Sequence, residues 1–310
     1  AGPHAGRTFI ILNPAAGHND PARLRRQIGG AFAARLAPFD LAETAGPGDA
    51  ARLARYAATT GYRAVCVVGG DGTLAEAATG LAGTPTPLAI IPRGTANQVA
   101  RNLHIPLGLE RAIDVALHGR PEPMDLGQID GRAFTLLAGA GLDASVMAAA
   151  SRPLKEKLGF AAYLLATVKE ALAASPARFH ITADDRELEV QAISVMLANV
   201  GELFAAYPPL RFRLAPAPER SWQDGLLDVV VIAPRNLPEF AAVLWQAARH
   251  RFHGDDRLLH LQAHRIAIQA EPPMPVQIDG DPAGTTPITA TVLPAGIRVL
   301  VPAAPGRAGA

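Results

Sequence analysis

Three short apolar runs, each broken by a glycine-bearing loop that opens into a helix-forming segment, constrain the fold of this chain more than any other feature. Thr8 to Leu12 ends in Asn13-Pro14-Ala15-Ala16-Gly17, Ala64 to Val68 ends in Gly69-Gly70-Asp71-Gly72-Thr73, and Leu88 to Ile91 ends in Pro92-Arg93-Gly94-Thr95-Ala96-Asn97. Strand-length runs that alternate with helices call for a parallel sheet, and in an open parallel sheet such loops line the edge where ligands bind. The first part of the chain therefore reads as a Rossmann-like α/β domain. Between the loops, Asp20-Pro21 reads as an N-cap and first helical residue of a helix running to about Leu36. Phe39 to Glu43 reads as a further strand, and Gly48-Asp49 precedes a helix with Leu53, Tyr56 and Ala57 on one face.

The middle loop carries the most chemistry. Gly69, Gly70 and Gly72 let backbone N–H groups approach a ligand, and the helix starting at Thr73 adds unpaired donors and a partial positive charge. A phosphate suits that environment. Asp71 does not, because a carboxylate in a phosphate cradle is repelled unless a divalent cation lies between them or it has a proton to take. Asp71 is accordingly read as a metal- or proton-handling group, with a plain sharp turn as the alternative for the same residues.

Composition narrows the class. At 310 residues the chain suits two domains of roughly 130 to 180 residues. With 49% hydrophobic residues it can bury a full core without covalent staples, and its one cysteine, Cys66, lies in an apolar strand and reads as a buried structural thiol. A net charge of +1 without a Lys/Arg block leaves no footprint for nucleic acid. No apolar run reaches the roughly 20 residues that span a bilayer. The expectation is a cytoplasmic protein.

After about residue 120 the pattern turns to strands. Asp130-Gly131 between two extended runs signals a hairpin, and Asp184-Asp185 between Arg178–Ala183 and Glu187–Ala198 gives a weaker one. Leu226 to Ile232, Leu258 to Ala270, Val276 to Ile278 and Ile288 to Leu293 are also strand-like, with helical segments at about Lys155 to Ala174 and Pro238 to Arg251. This half reads as a mainly antiparallel, two-layered β domain.

Taken together, seven motifs carry a resemblance to a known family. Asn13-Pro14-x-x-Gly17, Gly69-Gly70-Asp71-Gly72-Thr73, Pro92-x-Gly94-Thr95-x-Asn97, Asp125-Leu126-Gly127, Gly139-x-Gly141-x-Asp143-Ala144, Asp224-Gly225-x-Leu227-Asp228 and Asp279-Gly280-Asp281 occur in the order and rough spacing found there. From about Arg7 to Val301 the chain resembles the diacylglycerol kinase catalytic-domain family, which includes soluble bacterial lipid kinases, sphingosine kinases and ceramide kinases.

The resemblance implies transfer of the γ-phosphoryl group of Mg²⁺-ATP to a lipid hydroxyl, diacylglycerol-like or sphingoid, in an interdomain cleft. It implies a nucleotide-binding domain over residues 1–128, a β-rich lipid-substrate domain over 129–293, and a segment 294–303 that packs back on the first. Asn13, Gly17, Thr44, Gly69, Gly70, Asp71, Gly72, Thr73, Glu76, Thr95 and Asn97 would hold the nucleotide. Asp125 matches an acid of the metal and water network near Asp71, and Asp224 with the carbonyls of Leu227 and Val229 matches a second Mg²⁺ site. The family's C-terminal motif reads Asp-Gly-Glu, its glutamate taking the proton of the lipid hydroxyl; here Asp281 keeps the carboxylate on an arm shorter by one methylene, so Asp279 stays as a second candidate base beside Asp71. Gln98 stands where the family often has aspartate, and Leu203 to Leu210 replaces a glycine-rich segment.

Access to lipid implies transient contact with a membrane surface, hence a location peripheral to the membrane, and a homodimer is left open. Two other functional readings stay in view: an NAD kinase-like phosphotransferase, against which the absence of asparagine before Glu76 counts, and a nucleotide- or lipid-binding protein with little turnover.

Overall fold

The computed structural model describes residues 4–17, 20–149, 175–203, 212–213, 221–236, 238–240, 242–243 and 257–303. The helical segment expected at Lys155 to Ala174, most of the apolar stretch Leu203 to Leu210 and much of the helical segment at Pro238 to Arg251 lie outside the described residues. The chain forms two units, residues 1–125 with 295–310 and residues 126–294.

In the first unit, β1 (Thr8–Leu12), β2 (Phe39–Glu43), β3 (Ala64–Gly69) and β4 (Leu88–Pro92) alternate with α1 (Pro21–Ala34), α2 (Asp49–Thr60) and α3 (Asp71–Leu81), and α4 (Gln98–Asn102) and α5 (Leu109–His118) follow. The strands pair in parallel in the order β2-β1-β3-β4. Every residue of β1, β3 and β4 is buried, which is why these strands read as unbroken apolar runs rather than alternating ones. Leu24, Ile28 and Phe32 of α1 and Ile113 of α5 cover one face with Ile10, Cys66 and Ile91. Burial pushes the Cys66 thiol up to about 12, so it stays protonated and inert. The α1 cap is as expected: Asp20 Oδ1 accepts from Ala22 N at 3.0 Å, with proline at the first helical position. The strand order reverses at β1 and β3, and the ends of those two strands border the crevice that such a switch point opens.

The second unit begins within β5 (Arg120–Ile129), which turns through Asp130-Gly131 into β6 (Arg132–Phe134). Then come β7 (Leu137–Gly141), α6 (Leu142–Ala149), β8 (Ala177–Ala183), β9 (Arg186–Ala192), β10 (Ser194–Ala198), the short pair β11 (Glu202–Leu203) and β12 (Phe212–Arg213), β13 (Leu227–Ile232), β14 (Leu258–Ala263), β15 (Arg265–Glu271), β16 (Pro275–Ile278), β17 (Asp281–Thr285) and β18 (Ile288–Val301). One antiparallel layer has the order β14-β13-β10-β7-β16-β17. The other pairs β9, β8, β15 and residues 288–291 of β18, also antiparallel. Phe179, Ile181, Ile266 and Ile268 of the second layer share one buried cluster with Val195, Leu197, Val229 and Ile278 of the first. That is the two-layered β domain expected. The later part of β18 belongs to the first unit, where Val299 pairs in parallel with Leu88 of β4.

One expected element is divided. The run Leu258 to Ala270 forms two strands in different layers, and the break falls at His264, whose N–H donates to the Asp184 carboxylate at 3.1 Å while Arg265 N donates to the same group at 2.9 Å. Among the described residues no helix is long and apolar enough to cross a membrane.

Candidate active site

The three glycine-bearing loops of the first unit come together at the C-terminal ends of β1, β3 and β4. Asn13 N donates to Val68 O at 3.0 Å, and Asn13 Nδ2 donates to Thr73 Oγ1 at 2.8 Å, tying the first loop to the second. Arg93 N donates to Gly69 O at 2.8 Å, tying the third to the second. Gly17 has φ +79°, and a Cβ there would lie 2.8 Å from Arg93 O. A Cβ on Gly94 would lie 2.6 Å from the Cα of Gly70, so the second and third loops touch backbone to backbone and glycine is required at the contact. Asn97, itself at φ +49°, braces the third loop by accepting from Gly94 N and donating to Gly94 O, both at 2.8 Å.

This arrangement suits a phosphate. Helix α3 starts at Gly70 with no side-chain cap, leaving the N–H groups of its first turn to an outside acceptor. Gly72 is exposed with open space beside it, Thr95 is exposed on the third loop, and Thr73 is buried against Asn13. Thr44 lies at the end of β2, its N–H donating to Leu12 O at 2.9 Å. Glu76 Oε2 accepts from Ala50 N at 3.3 Å, at the start of α2.

The acids of this unit are structurally engaged. Asp71 Oδ2 accepts from Gln98 N at 3.0 Å and Oδ1 from Val99 N at 3.1 Å, so the carboxylate that sequence reasoning assigned to a cation or proton caps α4. Burial pushes its pKa up, opposed by those backbone donors. The backbone N–H groups of Asp71 itself and of Asn97 also donate to it, so the carboxylate serves the loop and the start of α4. Asp125, buried, accepts from Ala295 N at 2.7 Å and fastens β18. Replacing Asp71 by asparagine turns an amide N–H₂ toward one of the two helix N–H donors; the Asp71→Asn protein is expected to lose about 1–3 kcal/mol of stability, measurable by urea denaturation.

In the second unit the Asp279-Gly280 turn joins β16 to β17 and presents Asp281. Asp279 points inward. Its Oδ2 accepts from Thr135 N (2.8 Å) and Thr135 Oγ1 (3.1 Å), and its Oδ1 accepts from Leu136 N (2.9 Å) and Leu137 N (3.0 Å). Four donors saturate that carboxylate, which leaves no lone pair for a substrate hydroxyl. Asp281 is the opposite: its side chain is 71% exposed and meets Arg132 Nη2 through Oδ2 at 2.9 Å.

Two features escaped sequence reasoning. Arg132 follows the Asp130-Gly131 turn and reaches across 149 positions to Asp281, which no spacing reveals. Asp143 belongs to a recognised motif but had no assigned role: it accepts from Ser194 Oγ (2.9 Å) and Gln277 Nε2 (3.0 Å), and Gln277 Oε1 in turn accepts from Gly280 N (2.7 Å). That partly buried chain of bonds shapes the turn before Asp281, and desolvation pushes the Asp143 carboxyl up.

Metal ligation is less developed. Among the described residues no three His, Cys, Asp or Glu side chains gather as a cation site. Asp224 Oδ1 accepts from Leu226 N at 2.9 Å in a local turn, while Leu227 and Val229 lie in the paired strand β13, Val229 with partners on both sides.

Comparison with known proteins places these features in context. Residues 7–129 match the family model described as the diacylglycerol kinase catalytic domain, and residues 137–301 match the YegS C-terminal NAD kinase beta sandwich-like domain. The chain is 29% identical over 300 residues to the diacylglycerol kinase of Bacillus subtilis (strain 168), covering 96% of each. It is 32% identical over 238 residues to an uncharacterized protein of Synechocystis sp., spanning 76% of this chain but only about half (54%) of that protein. A crystal structure from Bacillus anthracis str. Sterne, assigned to the diacylglycerol kinases, superposes with a TM-score of 0.78 at 26% identity, covering 96% of this chain and 97% of that one.

Proposed function

Because this chain belongs to the diacylglycerol kinase catalytic-domain family, a family of lipid kinases that use ATP, we propose that it transfers the γ-phosphoryl group of ATP to the hydroxyl of a diacylglycerol-like or sphingoid lipid. The observation that carries this reading is the closure of three glycine-bearing loops on the uncapped start of α3, a donor-rich cradle suited to phosphates. Phosphoryl transfer asks a protein mainly for positioning and charge neutralisation. Gly70, Gly72 and Thr73 supply N–H donors to the phosphates, with Asn13, Gly17, Thr44 and Thr95 around the nucleotide; Asn97 and Asp71 hold the loops in register. Glu76, bonded to Ala50, supports α2.

Asp281 is the group we assign to the acceptor hydroxyl. As the lipid oxygen bonds to the γ-phosphorus and the bridging oxygen leaves with ADP, Asp281 Oδ1 takes the hydroxyl proton while Arg132 holds Oδ2. Mg²⁺ brought by the nucleotide would neutralise phosphate charge, with Asp125 as the carboxylate assigned to it. The lipid reaches the protein by transient contact with a membrane surface.

Labelled γ-phosphate from Mg²⁺-ATP, offered to micellar diacylglycerol, monoacylglycerol, phosphatidylglycerol, sphingosine and ceramide with NAD as a soluble control, tests the proposal. Label in a lipid is the expected result. Label in NADP instead overturns it, and ATP binding without transfer to any alcohol favours a binding protein.

A further inference from the structure

We propose that Arg93 contacts the terminal phosphates of the bound nucleotide; this deepens, and rests on, the nucleotide reading of the three loops. The backbone of Arg93 is fixed from two sides, by its N–H bond to Gly69 O at 2.8 Å and by the close approach of its carbonyl to Gly17. Residue 93 therefore stands where the first and third loops close on the second. Its side chain has no such support. Arg93 Nε is buried and has no hydrogen-bond partner in the structure. Buried donors are nearly always satisfied, and one left unsatisfied on a guanidinium is costly for a fold that gains nothing from it.

The surroundings indicate what is missing. Arg101, the other arginine at this loop, donates from Nε to Ala96 O at 3.0 Å and so braces the backbone. Asp71 turns its carboxylate to the N–H groups of Gln98 and Val99, and residue 98 is a neutral amide. The loops thus combine backbone donors at Gly72 and Thr73, outside any side-chain cap, with a cationic donor that lacks an acceptor. A multiply charged anion complements that set, since phosphate oxygens accept from a guanidinium fork with a geometry few other groups match. A packing role accounts for the aliphatic stem of Arg93 but leaves Nε without a partner.

Calorimetry of ATP, ADP and AMP with the full chain as wild type, Arg93→Gln and Arg93→Lys tests this, with thermal unfolding run in parallel. In Arg93→Gln the affinity for ATP is expected to fall about 10- to 100-fold, the loss expected for a hydrogen bond to a charged group, with AMP little changed. Arg93→Lys keeps the charge without the fork and should recover part of the loss. The melting temperature without ligand should hold, because Nε gives up no bond on removal, while the rise produced by ATP shrinks. Wild type that binds no nucleotide removes the nucleotide reading and the proposal with it. If wild type binds ATP and Arg93→Gln binds it equally well, the Arg93 assignment alone fails. An equal loss for ATP, ADP and AMP, or a lowered melting temperature without ligand, marks a structural residue and overturns the proposal.

Discussion

Replacement of Asp281 by asparagine is expected to lower the rate of phosphoryl transfer by about 10²- to 10⁴-fold, the usual contribution of a positioned general base, while leaving ATP affinity near that of wild type. The asymmetry follows from where the residue sits. Asp281 is 71% exposed at the start of β17 and contributes to the fold only an ion pair with Arg132, itself 43% exposed. Pairs of that kind are worth about 0–1 kcal/mol, so the variant should fold and melt like the parent. Glutamate at 281 lengthens the arm by one methylene and keeps the charge; transfer should survive in Asp281→Glu. The measurement is turnover under saturating ATP beside calorimetric ATP binding. Near-normal turnover in Asp281→Asn removes the residue from the mechanism, whatever its place in the motif.

The parts legible in the sequence are those in which local pattern and tertiary role agree. Thr8–Leu12, Ala64–Gly69 and Leu88–Pro92 are buried on both faces, so each reads as an apolar run, and of the glycines in the loops after them Gly17, Gly70 and Gly94 meet backbone that a Cβ would crowd. Asp20-Pro21 and Asp130-Gly131 were legible because capping and turning are local matters. The break inside Leu258 to Ala270 was not, because the carboxylate that holds the corner belongs to Asp184 in a hairpin 80 positions earlier.

The same limit applied to side-chain direction at the site. That Asp71, Asp279 and Asp281 lie at loop ends could be read; that the first caps α4, the second is sealed by Thr135 to Leu137 and the third meets Arg132 depends on long-range partners. Motif spacing supplies candidate carboxylates, and only their hydrogen bonds separate an acid that holds a loop from one open to a substrate. Asp143 shows it again: its bonds to Ser194 and Gln277 connect strands 51 and 134 positions away.

Asp279 should therefore behave unlike Asp281, with the larger effect falling on stability. Asp279→Ala leaves the N–H groups of Thr135, Leu136 and Leu137 and the Thr135 hydroxyl without their acceptor. Each unsatisfied buried donor costs about 1–3 kcal/mol and the costs overlap, so a loss on the order of 4 kcal/mol is expected in urea denaturation. Activity lost in this variant tracks unfolding and says nothing of a base. Asp279→Asn adds a test by pH. Burial outweighs the four donors and pushes the Asp279 carboxyl from its ordinary 3.8 up to about 6. The native state then binds a proton more readily than the unfolded chain between those values, so this group's contribution is fully present below about pH 4 and is lost as pH rises through about 6. The total is about 3 kcal/mol, two pKa units at 1.36 each. Asparagine does not titrate there. The stability gap between wild type and Asp279→Asn, already present at pH 7, should widen by about that amount as pH falls to about 4, and two parallel stability curves would show that Asp279 keeps an ordinary carboxyl in the fold.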